Sequence, residues 1–164
     1  MSFETTGIIR VEDLRKLGLM PSEARMRKGP VVIVECVQRI PCDACVFACP
    51  FGAIVKENIN DIPKVDFNKC IGCGACVLRC PGLAIFVVDL SVGNGKALVT
   101  VPYEMLPRPR VGLRAELLGR DGSSLGYSRI VKVVESKDKT YAVTVEVDEK
   151  LAMEVRGIRV MGDV

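Results

Sequence analysis

The cysteines are the residues of this sequence whose type and spacing point to chemistry. All eight lie between Cys36 and Cys80 of a 164-residue chain. Residues 70–81 have the spacing C-x2-C-x2-C-x3-C-P. With this spacing, three thiolates on a tight loop can grip one face of an iron–sulfur cubane, whereas the fourth is carried away on the following helical turn. A second copy of the motif is therefore required.

That second copy lies 31 residues earlier in the chain. Residues 40–50 (IPCDACVFACP) align with residues 71–81 (IGCGACVLRCP), and the register continues through Ala53–Ile54 against Ala84–Ile85. The repeat predicts two halves related by an approximate two-fold axis. Three β-like segments flank the motifs, namely Val31–Glu35, Lys64–Phe67 and Ile85–Val88.

This internal repeat resembles the bacterial dicluster ferredoxin family, whose members bind two 4Fe-4S clusters. The resemblance implies that cluster I is held by Cys36, Cys42, Cys45 and Cys80. It also implies that cluster II is held by Cys70, Cys73, Cys76 and Cys49. If protein thiolates fill all four iron sites of each cluster, no iron is open to a substrate. Such clusters transfer electrons.

The first motif departs from the family pattern at one position. Arg39 stands where the second motif has Cys70, and the nearest cysteine is Cys36, which gives the spacing C-x5-C. Either the loop bulges to bring Cys36 in, or cluster I lacks one thiolate. Cys36 could instead be a buried strand residue, since free cysteine packs as a small hydrophobe; Asp43 could then supply an oxygen ligand. We favour ligation by Cys36, because eight cysteines make two complete sets and no other soft donor exists.

Other uses of the cysteines agree less well with the sequence. Paired C-x2-C motifs can bind zinc, but a tetrahedral zinc site needs no third cysteine followed by proline. The sequence has no histidine, which excludes zinc sites of the Cys/His type and Rieske clusters. A disulfide framework would require an oxidising compartment.

The sequence gives no sign of export or membrane insertion. Residues 1–6 include an acid and no apolar core of a signal peptide. Apolar runs such as residues 31–34 and 83–88 fall far short of the roughly 18 residues of a membrane span. We therefore expect a cytoplasmic protein without a membrane span, in which cysteines stay reduced.

The chain outside the cysteine block predicts an α+β protein with several modules. Two short amphipathic helices are expected around residues 11–17 and 22–28, with Ser22 as an N-cap. Three β-rich segments at 111–118, 125–134 and 140–147 are separated by turn residues and indicate a meander that closes into a small antiparallel barrel-like domain. An open sheet covered by the neighbouring module is the alternative. The predicted modules are an N-terminal docking segment (1–30), a pseudo-two-fold dicluster ferredoxin-like domain (31–90), a Pro-rich connector (91–110) and a small β domain (111–164).

A narrower resemblance rests on residues 29–42 (GPVVIVECVQRIPC), 80–85 (CPGLAI) and 102–107 (PYEMLP). These segments look like the ferredoxin-like small subunit of multi-subunit FAD-dependent dehydrogenases. Such dye-linked enzymes oxidise amino acids and amines, such as proline or hydroxyproline, or glycerol 3-phosphate. The resemblance implies that partner subunits carry FAD or FMN and oxidise the substrate. This chain would then relay single electrons and would not be catalytic on its own.

The charge distribution also favours a fixed subunit over a diffusing carrier. Residues 31–102 hold six Lys and Arg and six Asp and Glu, so the module has no single-sign field to steer encounters. The flanking segments are then docking surfaces, although they could simply shield the clusters from solvent.

Two other functions compete with the subunit hypothesis. One is an independent soluble dicluster ferredoxin. The other is a nucleic-acid-binding module that uses the small β domain, with structural clusters. The only aromatic residues from position 103 onwards are three tyrosines, and acidic and basic residues nearly balance there. The segment therefore has few aromatic rings for base stacking and no excess of positive charge for a basic groove. No nucleic-acid partner is expected.

The two motifs also predict unequal reduction potentials. Gly72 and Gly74 allow backbone amides to approach cluster II, and amides directed at the sulfurs raise a potential. Near cluster I, Pro41 lacks an N–H and Asp43 adds a carboxylate, although Arg39 opposes them. The sequence therefore favours cluster I as the centre of lower potential.

Overall fold

Two strands of the cysteine repeat and the strands of the C-terminal half form one continuous antiparallel sheet. The computed structural model describes residues 2–162. The helices are α1 (Phe3–Thr6), α2 (Val11–Lys16), α3 (Glu23–Lys28) and α4 (Ala44–Ala48), with a 3-10 turn at Glu149–Leu151. The strands are β1 (Val31–Val34), β2 (Ile54–Val55), β3 (Lys64–Val65), β4 (Ile85–Asp89), β5 (Lys96–Tyr103), β6 (Arg114–Leu118), β7 (Ser124–Glu135), β8 (Tyr141–Asp148) and β9 (Gly157–Val160).

The seven-stranded sheet has the order β1-β4-β5-β8-β7-β6-β9, and β2 pairs with β3 in a separate ribbon. Few and short helices beside a mostly antiparallel sheet agree with the mixed α and β class expected from sequence. Within residues 2–162, no helix combines the length and the apolar character that a bilayer crossing needs.

The two-fold relation between the halves of the cysteine repeat is visible in the strand register. Val34 pairs with Ile85 between β1 and β4, and Ile54 pairs with Val65 between β2 and β3. With the 31-residue offset of the repeat, Val34 corresponds to Val65 and Ile85 corresponds to Ile54, so the two pairs are equivalent. All four residues of β1 are buried, as are the first four of β4, because covered strands need apolar side chains on both faces.

The two predicted N-terminal helices are confirmed as α2 and α3. The Ser22 hydroxyl accepts a hydrogen bond from Arg25 N at 3.1 Å, which caps the first turn of α3. Helices of six residues do not persist alone in water, so they depend on burial. Leu14, Leu19 and Met26 are buried in the common core and supply that stabilisation. Full burial of one such side chain contributes about 1.5–3 kcal/mol.

The region predicted as a connector contains a central strand of the sheet. β5 spans eight residues within 91–110 and pairs with β4 on one side and β8 on the other. A turn at residues 93–96 joins β4 to β5, with Lys96 N donating to Gly93 O at 3.1 Å. Alternate residues of β5 are buried. The extended connector proper is the short stretch that follows Tyr103.

The predicted meander is confirmed, but the predicted barrel is wrong. β6, β7 and β8 are neighbours in the expected order, and β9 adds to the free edge of β6. The other edge of β8 is taken by β5, so the C-terminal strands continue the sheet of the cysteine repeat and do not close on themselves. Pairing with β5 covers the edge of β8 that would otherwise be exposed.

Candidate metal centre

Four thiols line one cavity, which we call hollow I and which has a volume of about 290 Å³. They belong to Cys36, Cys42, Cys45 and Cys80. Cys36 follows β1, Cys42 precedes α4, and Cys45 lies in the first turn of α4. Cys80 arrives from the second copy of the motif. Hollow I therefore draws three thiols from one copy and one from the other.

The loop after β1 brings Cys36 to hollow I. Glu35 N donates to Ala84 O at 2.8 Å, after which the chain leaves the strand and remains irregular up to α4. Arg39, at the position matching Cys70, turns outward and pairs with Asp61 at 3.2 Å. Cys36 thus lines the same hollow as Cys42, Cys45 and Cys80, and its ligation of cluster I stays a prediction. Asp43 is the N-cap residue of α4 and does not line the hollow.

The remaining four thiols line a second and smaller cavity, hollow II, with a volume of about 20 Å³. They belong to Cys49, Cys70, Cys73 and Cys76. Cys76 is buried, whereas Cys73 is the one exposed thiol of the eight. Gly72 and Gly74 shape this loop with φ values of 71° and 78°, which side chains of L-residues disfavour.

Backbone amides contact the two thiols that cross between the halves. Ala53 N lies 3.3 Å from Cys49 Sγ, and Ala84 N lies 3.4 Å from Cys80 Sγ. The two bonds are related by the 31-residue repeat, so both crossing sulfurs have the same donor. Such N–H groups stabilise negative charge on a sulfur ligand.

Burial raises the pKa values of several of these thiols. It raises the pKa of Cys76 to about 12, with the neighbouring Cys70 and Cys73 adding to the effect. Burial also raises the pKa values of Cys36 and Cys45, and the charge of Lys56 opposes this in both cases. Metal ligation requires thiolates, so binding would release protons from these positions.

The donor set and its spread suit a metal cluster. All eight cysteines are free thiols. In the part of the chain from residue 2 to 162, no three cysteine or carboxylate side chains converge closely enough to hold a single metal ion. Each thiolate of a cubane binds a different iron atom, so its ligands stand around a hollow instead of meeting at one point.

The comparison with protein families gives one match. Residues 35–85 match the model of the 4Fe-4S dicluster domain, and all eight cysteines lie within this range. This match supports an iron–sulfur protein of the ferredoxin type. Its 4Fe-4S domain supports a role in electron transfer. Comparisons with curated proteins and with solved structures gave no match.

One cation beside each hollow escaped the sequence analysis. Lys56 lines hollow I, and its Nζ donates to Cys42 O and, at 3.3 Å, to Ile59 O. A single lysine in an otherwise unpatterned segment gives no sequence signal, because it reads as a solvated side chain.

Arg25 plays the corresponding part at hollow II. Its Nε donates to Phe67 O at 2.7 Å, and its Nη2 donates to Cys70 O at 2.6 Å. The same guanidinium reaches Gly29 O and Pro30 O, both at 3.2 Å. The contacts with Phe67 and Cys70 tie α3 to the loop that begins at Cys70. The basic last turn of α3 was visible in the sequence, but the long-range contacts were not.

A buried ion network stands behind hollow I. The carboxylate of Glu35, next to Cys36, binds Arg120 Nε at 2.5 Å and Arg156 Nε at 2.7 Å. Burial lowers the pKa of Arg156 to about 10, while the charge of Glu35 opposes the shift. Arg156 also lies over the ring of Phe86, 5.1 Å from its centroid. The network joins the loop of Cys36 to the C-terminal strands.

Proposed function

We propose that this chain is the electron-transfer subunit of a multi-subunit FAD-dependent dehydrogenase. It would hold two 4Fe-4S clusters and relay single electrons from a partner's flavin to an acceptor. The observation that carries this proposal is the gathering of eight thiols into two sets of four, each combining three thiols from one motif with one from the other. The substrate class suggested by sequence resemblance is an amino acid or amine of the proline or hydroxyproline type, or glycerol 3-phosphate.

The residues of the chain have distinct parts in this proposal. Cys36, Cys42, Cys45 and Cys80 would ligate cluster I, and Cys70, Cys73, Cys76 and Cys49 would ligate cluster II. When bound, such clusters supply one-electron redox chemistry. The amides of Ala53 and Ala84 donate to the crossing sulfurs, and burial around Cys45 and Cys76 excludes water. With every thiol committed as a ligand, we assign no catalytic residue to this chain.

An exposed apolar loop supports a fixed place in a complex. Met105, Leu106 and Val111 lie between β5 and β6 and are all exposed, Leu106 by 89%. The loop is anchored, since Tyr103 Oη donates to Pro107 O at 2.9 Å. Isolated apolar residues on a surface are ordinary, but three on one anchored loop are typical of a contact surface. We place the flavin-bearing subunit on this loop.

The nucleic-acid alternative receives little support from the C-terminal strands. Tyr103 and Tyr141 are buried, and Tyr127 alone of the three tyrosines offers its ring to solvent. The guanidinium of Arg114 already covers that ring, 4.3 Å from its centroid. Base stacking would have to displace it.

Eight free thiols also support a reducing compartment, and we place the protein in the cytoplasm.

Iron and acid-labile sulfide counts on anaerobically prepared protein test the two-cluster assignment. We expect about eight of each per chain, because each cubane contains four irons and four sulfides. Cys36→Ser should lower the iron content, while Val37→Ala, which changes a neighbouring residue of the same hollow, should not. Four irons in the wild type would contradict ligation by Cys36, and zinc in place of iron would refute the function.

Copurification tests the subunit hypothesis separately. A tagged chain should carry flavin-containing partners at stoichiometric yield from its native host. Leu106→Gln should weaken that association without changing the iron content, whereas Val92→Gln in the β4–β5 turn should leave both unchanged. Recovery of the wild type only as a monomer would favour an independent dicluster ferredoxin.

A further inference from the structure

The side chain of Lys56 faces the thiols of hollow I without a carboxylate partner. It lies just after β2, is half-buried, and lines the hollow together with the four cysteines. Its Nζ is held by two carbonyl oxygens, those of Cys42 and Ile59. Among residues 2–162, no carboxylate forms an ion pair with it. The nearby Lys64 differs, because it is 78% exposed and faces Glu57 at 3.9 Å.

We propose that the positive charge of Lys56 raises the reduction potential of cluster I. The inference rests on the two-cluster function proposed above. Each electron that arrives at a cluster adds negative charge, and a fixed cation nearby favours that reduced state. Lys56 offers such a cation at the rim of one hollow, held in place by carbonyl dipoles.

Other charges around hollow I leave the effect of Lys56 intact. Glu35 is the buried acid closest along the chain to Cys36, and two arginines already neutralise it. Asp61 pairs with Arg39 on the surface.

The second half of the repeat has no counterpart of this lysine. The position 31 residues later is Val87, a buried residue of β4. Lys56 therefore acts on one of the two clusters, and its loss should change one redox step only. This runs against the sequence expectation that Pro41 and Asp43 make cluster I the centre of lower potential.

Potentiometric titration followed by EPR on the full, anaerobically prepared chain tests the proposal. In Lys56→Met, one reduction wave should move to lower potential by about a tenfold change in its equilibrium constant, ~59 mV for one electron. The other wave should stay in place. Lys56→Arg, which keeps the charge, should restore the first wave. Lys64→Met removes a charge of the same sign from the exposed neighbour and should move neither wave.

The remaining outcomes separate this proposal from a purely structural role. Full iron content with both waves unmoved in Lys56→Met would overturn it, as would equal shifts in Lys56→Met and Lys56→Arg. If Lys56→Met loses iron, Lys56→Gln keeps a donor without the charge and is judged by the same criterion. Loss of iron from both neutral variants would also overturn it, since Lys56 would then serve assembly. A wild type without iron would refute the function itself, which the iron count detects independently.

Discussion

Hollow I and hollow II arise from the same repeated motif, but their volumes are about 290 Å³ and about 20 Å³. The walls explain the difference. Phe3 and Ile9, from the chain before α2, contribute to hollow I together with the loop that carries Cys36. Hollow II is enclosed by its own glycine-containing loop and by Phe51 and other residues near the motif.

The charges around the two hollows differ as much as their volumes. Hollow I has Lys56 at its rim and the buried Glu35 with its two arginines behind it. Hollow II has the exposed Cys73, and the guanidinium of Arg25 binds the carbonyl of Cys70. The repeat thus supplies the ligands, while residues outside the repeat supply the electrostatic surroundings. Two chemically identical clusters could be given different potentials in this way.

The largest effect is expected from Glu35→Gln. The substitution removes the buried carboxylate from Arg156 and leaves Arg120 only its 3.9 Å ion pair with the exposed Glu154, which costs about 3–5 kcal/mol in the free energy of unfolding. Because Glu35 precedes Cys36, iron should be lost from hollow I before hollow II. Urea unfolding and iron content measure the two effects.

The control for this variant is Glu116→Gln. The carboxylate of Glu116 pairs with Arg159, whose side chain is 64% exposed and can be solvated, so a loss of about 1 kcal/mol is expected. Equal destabilisation by the two variants would show that the buried network does not distinguish hollow I.

The next effect concerns the glycines of hollow II. A Cβ at position 72 would lie 2.5 Å from Pro30 Cβ and 2.6 Å from its carbonyl oxygen, and the residue has a φ of 71°. Gly72→Ala should therefore cost about 3 kcal/mol, from left-handed strain together with overpacking. Gly74→Ala meets no atom within 4 Å and should cost about 1 kcal/mol from strain alone.

Iron analysis decides whether this damage is local. Gly72→Ala should lower the iron content towards half, with one EPR signal lost and the wave sensitive to Lys56 retained. If both signals disappeared together at full protein stability, the two hollows would be coupled more tightly than their separate walls suggest.

Arg25→Met should have a smaller effect on stability and a specific effect on hollow II. Removing the guanidinium leaves the carbonyls of Phe67 and Cys70 without this donor, at a cost of about 2 kcal/mol. It also removes a cation beside Cys70. The reduction wave that Lys56→Met leaves in place should therefore move to lower potential in Arg25→Met. Arg27→Met on the same helix removes an exposed arginine paired with acids and should move neither wave. A shift of the Lys56-sensitive wave in Arg25→Met would contradict the pairing of one cation with each hollow.

Sequence reasoning worked best where the pattern itself repeats. The spacing of the cysteines and the 31-residue offset lead to the two-fold register of β1 with β4 and of β2 with β3. They also lead to the division of the thiols between two hollows. A repeat constrains long-range geometry because two similar halves can pack only in a few equivalent ways.

The central strand β5 was missed because its proline density indicated a connector. Pro102 lies inside β5 and pairs with Ala142 of β8, whereas the pairing with β4 ends at Thr100. Pro102, which lacks an N–H, therefore lies beyond the paired stretch of β4 and β5, where that side of β5 has no partner in the sheet. Because β5 binds the edge of β8, the C-terminal strands have no need to close into a barrel.

Single charged residues were beyond prediction for a different reason. Glu35 and Arg156 are separated by 121 positions, and no periodicity links them. Lys56 and Arg25 likewise act through backbone carbonyls that any residue could provide. Such contacts depend on the assembled fold, which the local pattern of charges does not encode.

The smallest effect is expected from the ion pair between Lys96 and Asp148, which lines neither hollow. Lys96 Nζ lies 2.7 Å from Asp148 Oδ1 across the β5–β8 ladder. Lys96 holds the pKa of Asp148 below its usual value, and Asp148 raises the pKa of Lys96. The carboxylate's contribution is therefore complete above its unfolded pKa, near 4, and is lost as the pH falls through the lower folded value. The lysine's contribution is complete below about 10.4 and is lost as the pH rises through the higher folded value.

A double-mutant cycle with Lys96→Met and Asp148→Asn, measured by urea unfolding, should give a small coupling that is constant between pH 5 and about 10. Salt should weaken it, because both side chains are about half exposed. Neither substitution should move a reduction wave, since neither charge lies beside the thiols. A wave that shifted with this remote pair would mean that total charge, and not the cation at each hollow, separates the two potentials.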